Sequence, residues 1–234
     1  MAVPKWAQCM GLVAVMLAAV AGTRPALSQS AKPPTMTGSE AAIAAEEPAQ
    51  RFSGPPEHPR RHFRISNPAA LSAPEAEAIY DALREDMARR YAASGDAAAG
   101  AYQGWTRFNM APYGSSTHGQ RYVNNYANDI ARAYGRAEEA GRFPVGSVIA
   151  KDSFVVTDDG GIRPGPLFVM EKMPAGFNYV SGDWRYSVIT GAGELAGRTA
   201  GPGAERVEFC IACHLAREQE DHLFFVPEAF RSTP

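Results

Sequence analysis

Cysteine is scarce in this chain. Three cysteines among 234 residues are too few for the disulfide framework of a small secreted scaffold. Charge bias is lacking too, with 23 Lys and Arg against 25 Asp and Glu. That balance leaves no basic stripe of the kind a nucleic-acid backbone requires, and no lysine or arginine block marks a membrane-surface patch. The longest apolar run, Leu12 to Ala21, falls short of the roughly 20 residues a membrane-spanning helix needs. Internal repeats are absent.

What is present begins with that apolar run. Lys5 precedes it and Ala26-Leu27-Ser28 follows, a small-x-small pattern, so residues 1–28 are read as a secretory signal peptide. An uncleaved anchor is the alternative. Cleavage removes Cys9, Lys5 and Arg24 but no acidic residue, so the formal net charge of −2 becomes mildly more negative. The mature protein is expected to be soluble and periplasmic, outside the membrane once the signal is removed, and to retain only Cys210 and Cys213.

From Gln29 to Asn67 the chain is rich in Ala, Pro, Ser and Glu, with Pro33-Pro34, Pro55-Pro56 and the basic cluster Arg60-Arg61-His62. Apolar periodicity is missing, so this stretch reads as a flexible linker. Residues 68–234 form one domain of roughly 165 residues, long enough for a real core. Ser72-Ala73-Pro74-Glu75 combines a capping box with proline in the first turn, and Ile79, Leu83, Met87 and Tyr91 continue it as an amphipathic helix ending near Gly95. A second helix is expected from about Val123 to Ala140, with Val123, Ala127, Ile130 and Tyr134 on one face and Gly141 and Pro144 as stops. Beyond it Val148 to Val156, Leu167 to Met173 and Trp184 to Ile189 read as strands, separated by Gly- and Pro-containing turns. Consecutive strands joined by short turns favour an antiparallel sheet. The expected class is therefore α+β, a mainly antiparallel sheet with a few flanking helices.

Cys210-Ile211-Ala212-Cys213-His214 has the C-x-x-C-H spacing of covalent c-type haem attachment. Two thiols three residues apart add to the two vinyl groups on one porphyrin edge, and the next residue offers its imidazole to the iron, so one haem c is expected with His214 as proximal ligand. Three other readings compete. A thioredoxin-type dithiol would sit beside a β-α-β pattern, which is missing. A zinc site would need further ligands, for which His222 and the remote His118 are the only candidates. A disulfide across two intervening residues would be strained and would stabilise little. The secretory signal favours haem, because c-type maturation occurs outside the cytoplasm.

From Ser72 onward the chain resembles the cytochrome P-460 family, which includes the cytochromes c′-β. The resemblance is carried by Trp105, Pro112-Tyr113, His118-Gly119, Arg121-Tyr122, Asn124-Asn125, Gly146-Ser147-Val148-Ile149-Ala150-Lys151, Met170-Glu171-Lys172, Asp183-Trp184-Arg185-Tyr186 and the haem motif followed by Asp221 and Phe224-Phe225. It implies a mainly antiparallel fold, often a homodimer, with a five-coordinate haem open on its distal face. Members named for the P-460 chromophore carry a bond from a lysine side chain to the porphyrin edge and oxidise hydroxylamine with nitric oxide or related nitrogen species. The c′-β relatives bind nitric oxide and carbon monoxide instead.

By its place in that motif Lys151 is the candidate cross-linking residue. Strand alternation gives an independent hint, since Ile149, Lys151, Ser153 and Val155 share a face, and a buried lysine becomes a nucleophilic amine. An ion-paired or snorkelling lysine at the sheet edge is the alternative. Lys172, sharing a face with Phe168 and Met170, is the second candidate. Hydroxylamine oxidation sheds protons, so a carboxylate base is sought: Glu171 first, Asp152 second, although acidic residues in strands are usually solvated. Arg121 is a candidate hydrogen-bond donor to a haem ligand or propionate, or else a surface ion pair. His118 and the thioethers of Met110, Met170 and Met173 are candidate sixth ligands. Trp105, Trp184 and Tyr186 are read as core or haem-packing aromatics.

Three functions follow from these residues. The first is a haem oxidoreductase acting on hydroxylamine or nitric oxide and passing electrons to a periplasmic acceptor. The second is a gas-binding haem protein, and the third is an electron-transfer cytochrome with a sixth protein ligand.

Overall fold

A computed structural model describes residues 52–53, 61–136 and 139–232. The signal peptide expected over 1–28 and most of the expected linker lie outside the described residues. Phe52–Ser53 (β1) pairs antiparallel with Arg61–His62 (β2). The helix expected after Ser72 is present as Ala73–Ala92 (α1), and the Glu75 carboxylate accepts from both the backbone N–H and the hydroxyl of Ser72 at 2.8 and 2.6 Å. Its deepest residues are Ala76, Tyr80, Met87 and Tyr91. Ile79 and Leu83 are only half-buried at its flank. A short helix Ala97–Ala101 (α2) follows.

Among the described residues, eight strands then form one antiparallel sheet. They are Thr106–Arg107 (β3), Tyr113–Ser115 (β4), Arg121–Ala127 (β5), Val148–Val156 (β6), Ile162–Pro164 (β7), Leu167–Lys172 (β8), Trp184–Ile189 (β9) and Leu195–Arg198 (β10). Their order is β10-β9-β8-β6-β5-β3, with β4 also paired to β5 and β7 to β6. Most successive strands are joined by short turns, as antiparallel pairing permits, whereas β5 and β6 are linked through residues 128–147, which carry a 3-10 helix. A short helix, Glu208–His214 (α3), follows the sheet, and the 3-10 helices Leu215–Glu220 and Glu228–Phe230 lie beyond it. This is the α+β class expected from the sequence.

One expected element is wrong. The helix foreseen from Val123 is instead strand β5, followed by the 3-10 helix Asp129–Gly135. Val123 and Ala127 share a face in a strand as well as in a helix, because four residues are two strand periods and close to one helical turn. All seven β5 residues are buried, so no polar alternation betrays the strand. Asn128 ends it: its side-chain oxygen accepts from Ala131 N at 3.1 Å and Val148 N at 3.0 Å.

Both faces of the sheet are covered, and they carry different interiors. On one, Tyr122, Tyr126, Ala150, Phe154, Leu167, Val169 and Ile189 pack beneath α1. On the other, Val123, Ile149, Phe168, Met170, Trp184, Tyr186 and Val188 meet Phe209 and Cys210 of α3.

The α1 side holds a buried carboxylate. Asp152 accepts from Tyr80 at 2.7 Å, Tyr102 at 3.1 Å and Asn124 Nδ2 at 3.0 Å, and the hydroxyls of Tyr80 and Tyr126 lie 2.6 Å apart. Burial raises its pKa from 3.8 to about 6, against the lowering effect of those donors. A carboxyl raised in the folded state is free of penalty below its unfolded value and destabilises increasingly as pH climbs through its folded one. Each unit is about 1.4 kcal/mol, so the penalty is on the order of 3 kcal/mol. The unfolding free energy of wild type relative to Asp152→Asn should therefore fall by about that amount between pH 4 and pH 7. Urea titrations across that range measure it, and a difference independent of pH would refute it.

Candidate functional site

The site is built around α3. Cys210 and Cys213 stand at i and i+3, neighbours on one helix face. Neither is disulfide-bonded, and Cys210 is buried while Cys213 is exposed. Burial pushes the Cys210 thiol well up, so it is a thiol rather than a thiolate at neutral pH. The helix lacks a side-chain N-cap and is held by the burial of Phe209 and Cys210 in the core.

His214 closes α3. Its Nδ1 lies 2.6 Å from the carbonyl oxygen of His222; a carbonyl only accepts, so Nδ1 carries the proton and Nε2 keeps its lone pair. This is the arrangement that orients an imidazole for metal ligation. Burial pulls the His214 pKa down to about 4, with the bond to His222 opposing, so the ring is neutral. Tyr186 and Phe224 flank it edge-on, with centroids at 5.2 and 5.0 Å.

The His222 carbonyl is aimed by an unusual turn. Asp221 and His222 both adopt positive φ, 52° and 64°, a conformation costing non-glycine residues roughly 1–2 kcal/mol each. Neighbouring bonds hold it in place. The Asp221 carboxylate takes Lys172 Nζ at 2.6 Å and the Phe143 N–H at 2.9 Å, its carbonyl accepts from Trp184 Nε1 at 2.8 Å, and His222 N donates to Arg217 O at 2.7 Å.

In front of Cys210, Cys213 and His214 lies a cavity, partly open to solvent. Its walls are mainly apolar, including Ile149, Phe168, Met170, Val188, Leu223 and Phe224. A larger open cleft adjoins it and shares Thr117, Lys151, Leu223 and Phe224. A flat apolar group with one polar edge suits such a slot, and two thiols plus an oriented neutral imidazole are the donors haem c requires.

Lys151 reaches this cavity from the middle of β6. It is 9 % exposed and, among the described residues, makes no hydrogen bond or ion pair. Burial lowers its pKa to about 8, the Cys213 sulfur partly opposing, so a sizeable fraction is free amine near pH 8. At the same cavity the His118 Nδ1 lies 3.1 Å from both the Ser115 and Thr117 hydroxyls.

Other expected site residues lie elsewhere. Lys172 is tied into the ion pair with Asp221, its ammonium 5.0 Å over the Trp184 ring, and is not in the cavity. Glu171 is on the opposite face of β8 from Phe168 and Met170, where it pairs with Arg185. Asp152, next to Lys151 in sequence, faces the tyrosines under α1. Neither carboxylate can act as a base in the cavity. Arg121 is buried and donates to the carbonyls of Phe63 at 3.0 Å and His118 at 2.9 Å, so it braces the His118 loop instead of meeting a ligand. Among the methionines Met170 lines the cavity; Met110 is 58 % exposed and Met173 half-buried. Trp184 and Tyr186 are buried on the cavity side, and Trp105 packs against the α1 core.

The sequence gives no warning of His62, which also lines the cavity although it sits in a stretch whose composition reads as linker. Compared with known families, residues 100–225 match the model described as Cytochrome P460. No curated protein matches the chain.

Proposed function

This chain belongs to the cytochrome P460 family, of c-type haem proteins of the P460 type, and we propose that it is an exported monohaem c-type cytochrome that oxidises hydroxylamine or handles nitric oxide. Cys210 and Cys213 would hold the haem covalently, and His214 would ligate its iron. When bound, that group supplies an iron that takes up a small nitrogen ligand and accepts electrons from it. The chain's own residues set the conditions: His222 fixes the imidazole through Nδ1, and the apolar walls limit water.

Lys151 carries the reading. A buried amine without a counter-charge is costly to keep, and here it stands in the cavity that holds both thiols and His214. It is suited either to bond the porphyrin edge or to hold and release a proton. With Glu171 and Asp152 directed elsewhere, Lys151, His118 and His62 are the cavity groups able to move protons from a bound substrate. Export to the periplasm, an electron acceptor there, and pairing as a homodimer complete the proposal. The signal pattern supports the first, and no described helix is long and apolar enough to cross a membrane.

The test is to produce the protein with a c-type maturation system and compare it with Lys151→Ala. A ferrous Soret band strongly red-shifted in wild type and ordinary in the variant, with hydroxylamine turnover lost, is the expected result. If spectrum and turnover are the same in both, the oxidase reading fails. The lack of a carboxylate among the cavity residues favours a second reading, a carbon monoxide- and nitric oxide-binding protein, for which an ordinary c-type spectrum that shifts with carbon monoxide is the signature.

A further inference from the structure

Neither reading uses the carboxylate on the opposite face of the sheet. Asp152 is buried, with Tyr80, Tyr102 and Tyr126 buried around it. An ionised carboxylate only accepts hydrogen bonds. The single hydroxyl hydrogen of Tyr80 therefore goes to Asp152 at 2.7 Å, and the Tyr126 hydroxyl, 2.6 Å away, donates to the Tyr80 oxygen. Tyr102 is a second, longer donor to the same carboxylate oxygen, at 3.1 Å. Burial and the Asp152 charge hold the Tyr80 phenol far above its ordinary ionisation range, so it keeps its proton at any ordinary pH.

Other tyrosine hydroxyls meet groups far too weakly basic to take a proton. Tyr91 donates to the Gly165 carbonyl, Tyr122 to that of Ala69, Tyr134 to that of Phe224 and Tyr113 to the Asn125 amide oxygen. The Tyr186 hydroxyl makes no hydrogen bond among the described residues. The Asp152 cluster also lies close behind the cavity. Asp152 adjoins Lys151, which lines the cavity. On the paired strand β5, Asn124 donates to Asp152, while the next residue, Asn125, donates at 2.6 Å to the hydroxyl of Tyr134, itself a cavity residue. The thickness of one sheet separates the two.

We propose that Tyr80 is a redox-active tyrosine that gives one electron to the haem site when the reduced protein meets hydrogen peroxide, its phenolic proton passing to Asp152. This rests on the haem c reading above and not on hydroxylamine turnover. A phenol that loses an electron becomes a strong acid, so a buried one is readily oxidised only where a base in hydrogen-bond contact takes its proton. The product is a neutral radical beside a neutral carboxylic acid, a pair that burial does not penalise as it would separated charges. Breaking the peroxide O–O bond consumes two electrons. The ferrous iron supplies one and becomes ferric; Tyr80 supplies the other. With two protons from solvent, the peroxide leaves as two water molecules. Tyr80 thus provides the second electron that a single iron going from ferrous to ferric lacks.

The experiment uses the full holoprotein, and intact mass first establishes whether haem is attached. Wild type, Tyr80→Phe, Asp152→Asn and Tyr186→Phe are reduced without oxygen, mixed with an equimolar amount of hydrogen peroxide and freeze-quenched for electron paramagnetic resonance. Tyr186, whose ring lies 5.2 Å from that of His214, is the rival donor by proximity. The phenylalanine variants keep their rings in the core, and asparagine keeps the shape of the aspartate. Expected in wild type is an organic-radical signal beside that of ferric haem, with splittings that collapse when the protein carries ring-deuterated tyrosine. The radical should be lost in Tyr80→Phe and Asp152→Asn and retained in Tyr186→Phe. Haem-bearing wild type without a radical overturns the proposal and leaves the haem reading standing. So does a radical that survives Tyr80→Phe or Asp152→Asn, or one lost in Tyr186→Phe. A mass without haem overturns the underlying reading, and this proposal with it.

Discussion

Changing both Cys210 and Cys213 to serine should yield a protein whose intact mass after denaturation shows no haem. The two thiols are the only cysteines in the described residues and lie unbridged on one face of α3, so their loss leaves no sulfur on that face to add to a porphyrin edge. Each single variant should retain one thioether and hence the full haem mass in part of the population. The serine at 210 fills nearly the same space as the buried thiol, which limits the cost to packing. Because His214 keeps its bond to His222, noncovalent haem can still be ligated and is removed on denaturation. Covalent haem in the double variant would refute attachment through this motif.

The second large effect is on stability. Lys172 and Asp221 form an ion pair of 2.6 Å with side chains only 9 % and 3 % exposed. Removing one partner of such a pair strands the other charge and costs about 3–5 kcal/mol. Lys172→Met should therefore lower the urea unfolding free energy by an amount in that range. Adding Asp221→Asn should recover part of it, since the charge left unpaired disappears. Asp221→Asn alone also weakens an acceptor of the Phe143 N–H. A Lys172→Met loss under about 1 kcal/mol would mean that water reaches the pair as it does at a surface. The effect should extend to the site, because the same aspartate fixes the turn that presents the His222 carbonyl to His214.

Much of this architecture is legible in the sequence, and the exceptions have physical causes. The limits of β6 and β9 emerge from apolar runs between turn residues, and α1 from its capping box. The C-x-x-C-H spacing locates the heart of the site because covalent attachment demands it locally. β5 is misread because its spacing fits two periods and burial on both faces erases the contrast. Glu171 and Asp152 are misassigned for another reason: residue type suggests chemistry, but the face of the strand decides where it can act. Arg121 shares the Val123 face of β5 and is engaged there by the carbonyls of Phe63 and His118. Lys172 follows the correct face and still misses the cavity, because Asp221, 49 positions away, captures it. His62 reaches the site only through tertiary docking, which no local pattern encodes.

β6 carries Lys151 and Asp152 side by side, one directed to the α3 interior and the other to the α1 interior. Ile149 and Ala150 are divided in the same way. A strand of this kind tolerates substitution far better than a change in length. Inserting or deleting a single residue ahead of Lys151 would exchange the faces of everything after it, bringing a carboxylate to the thiols and an ammonium among the tyrosines. Lineages carrying this fold should therefore confine their insertions and deletions to the turns at either end of β6, and any length change inside the strand should come in steps of two.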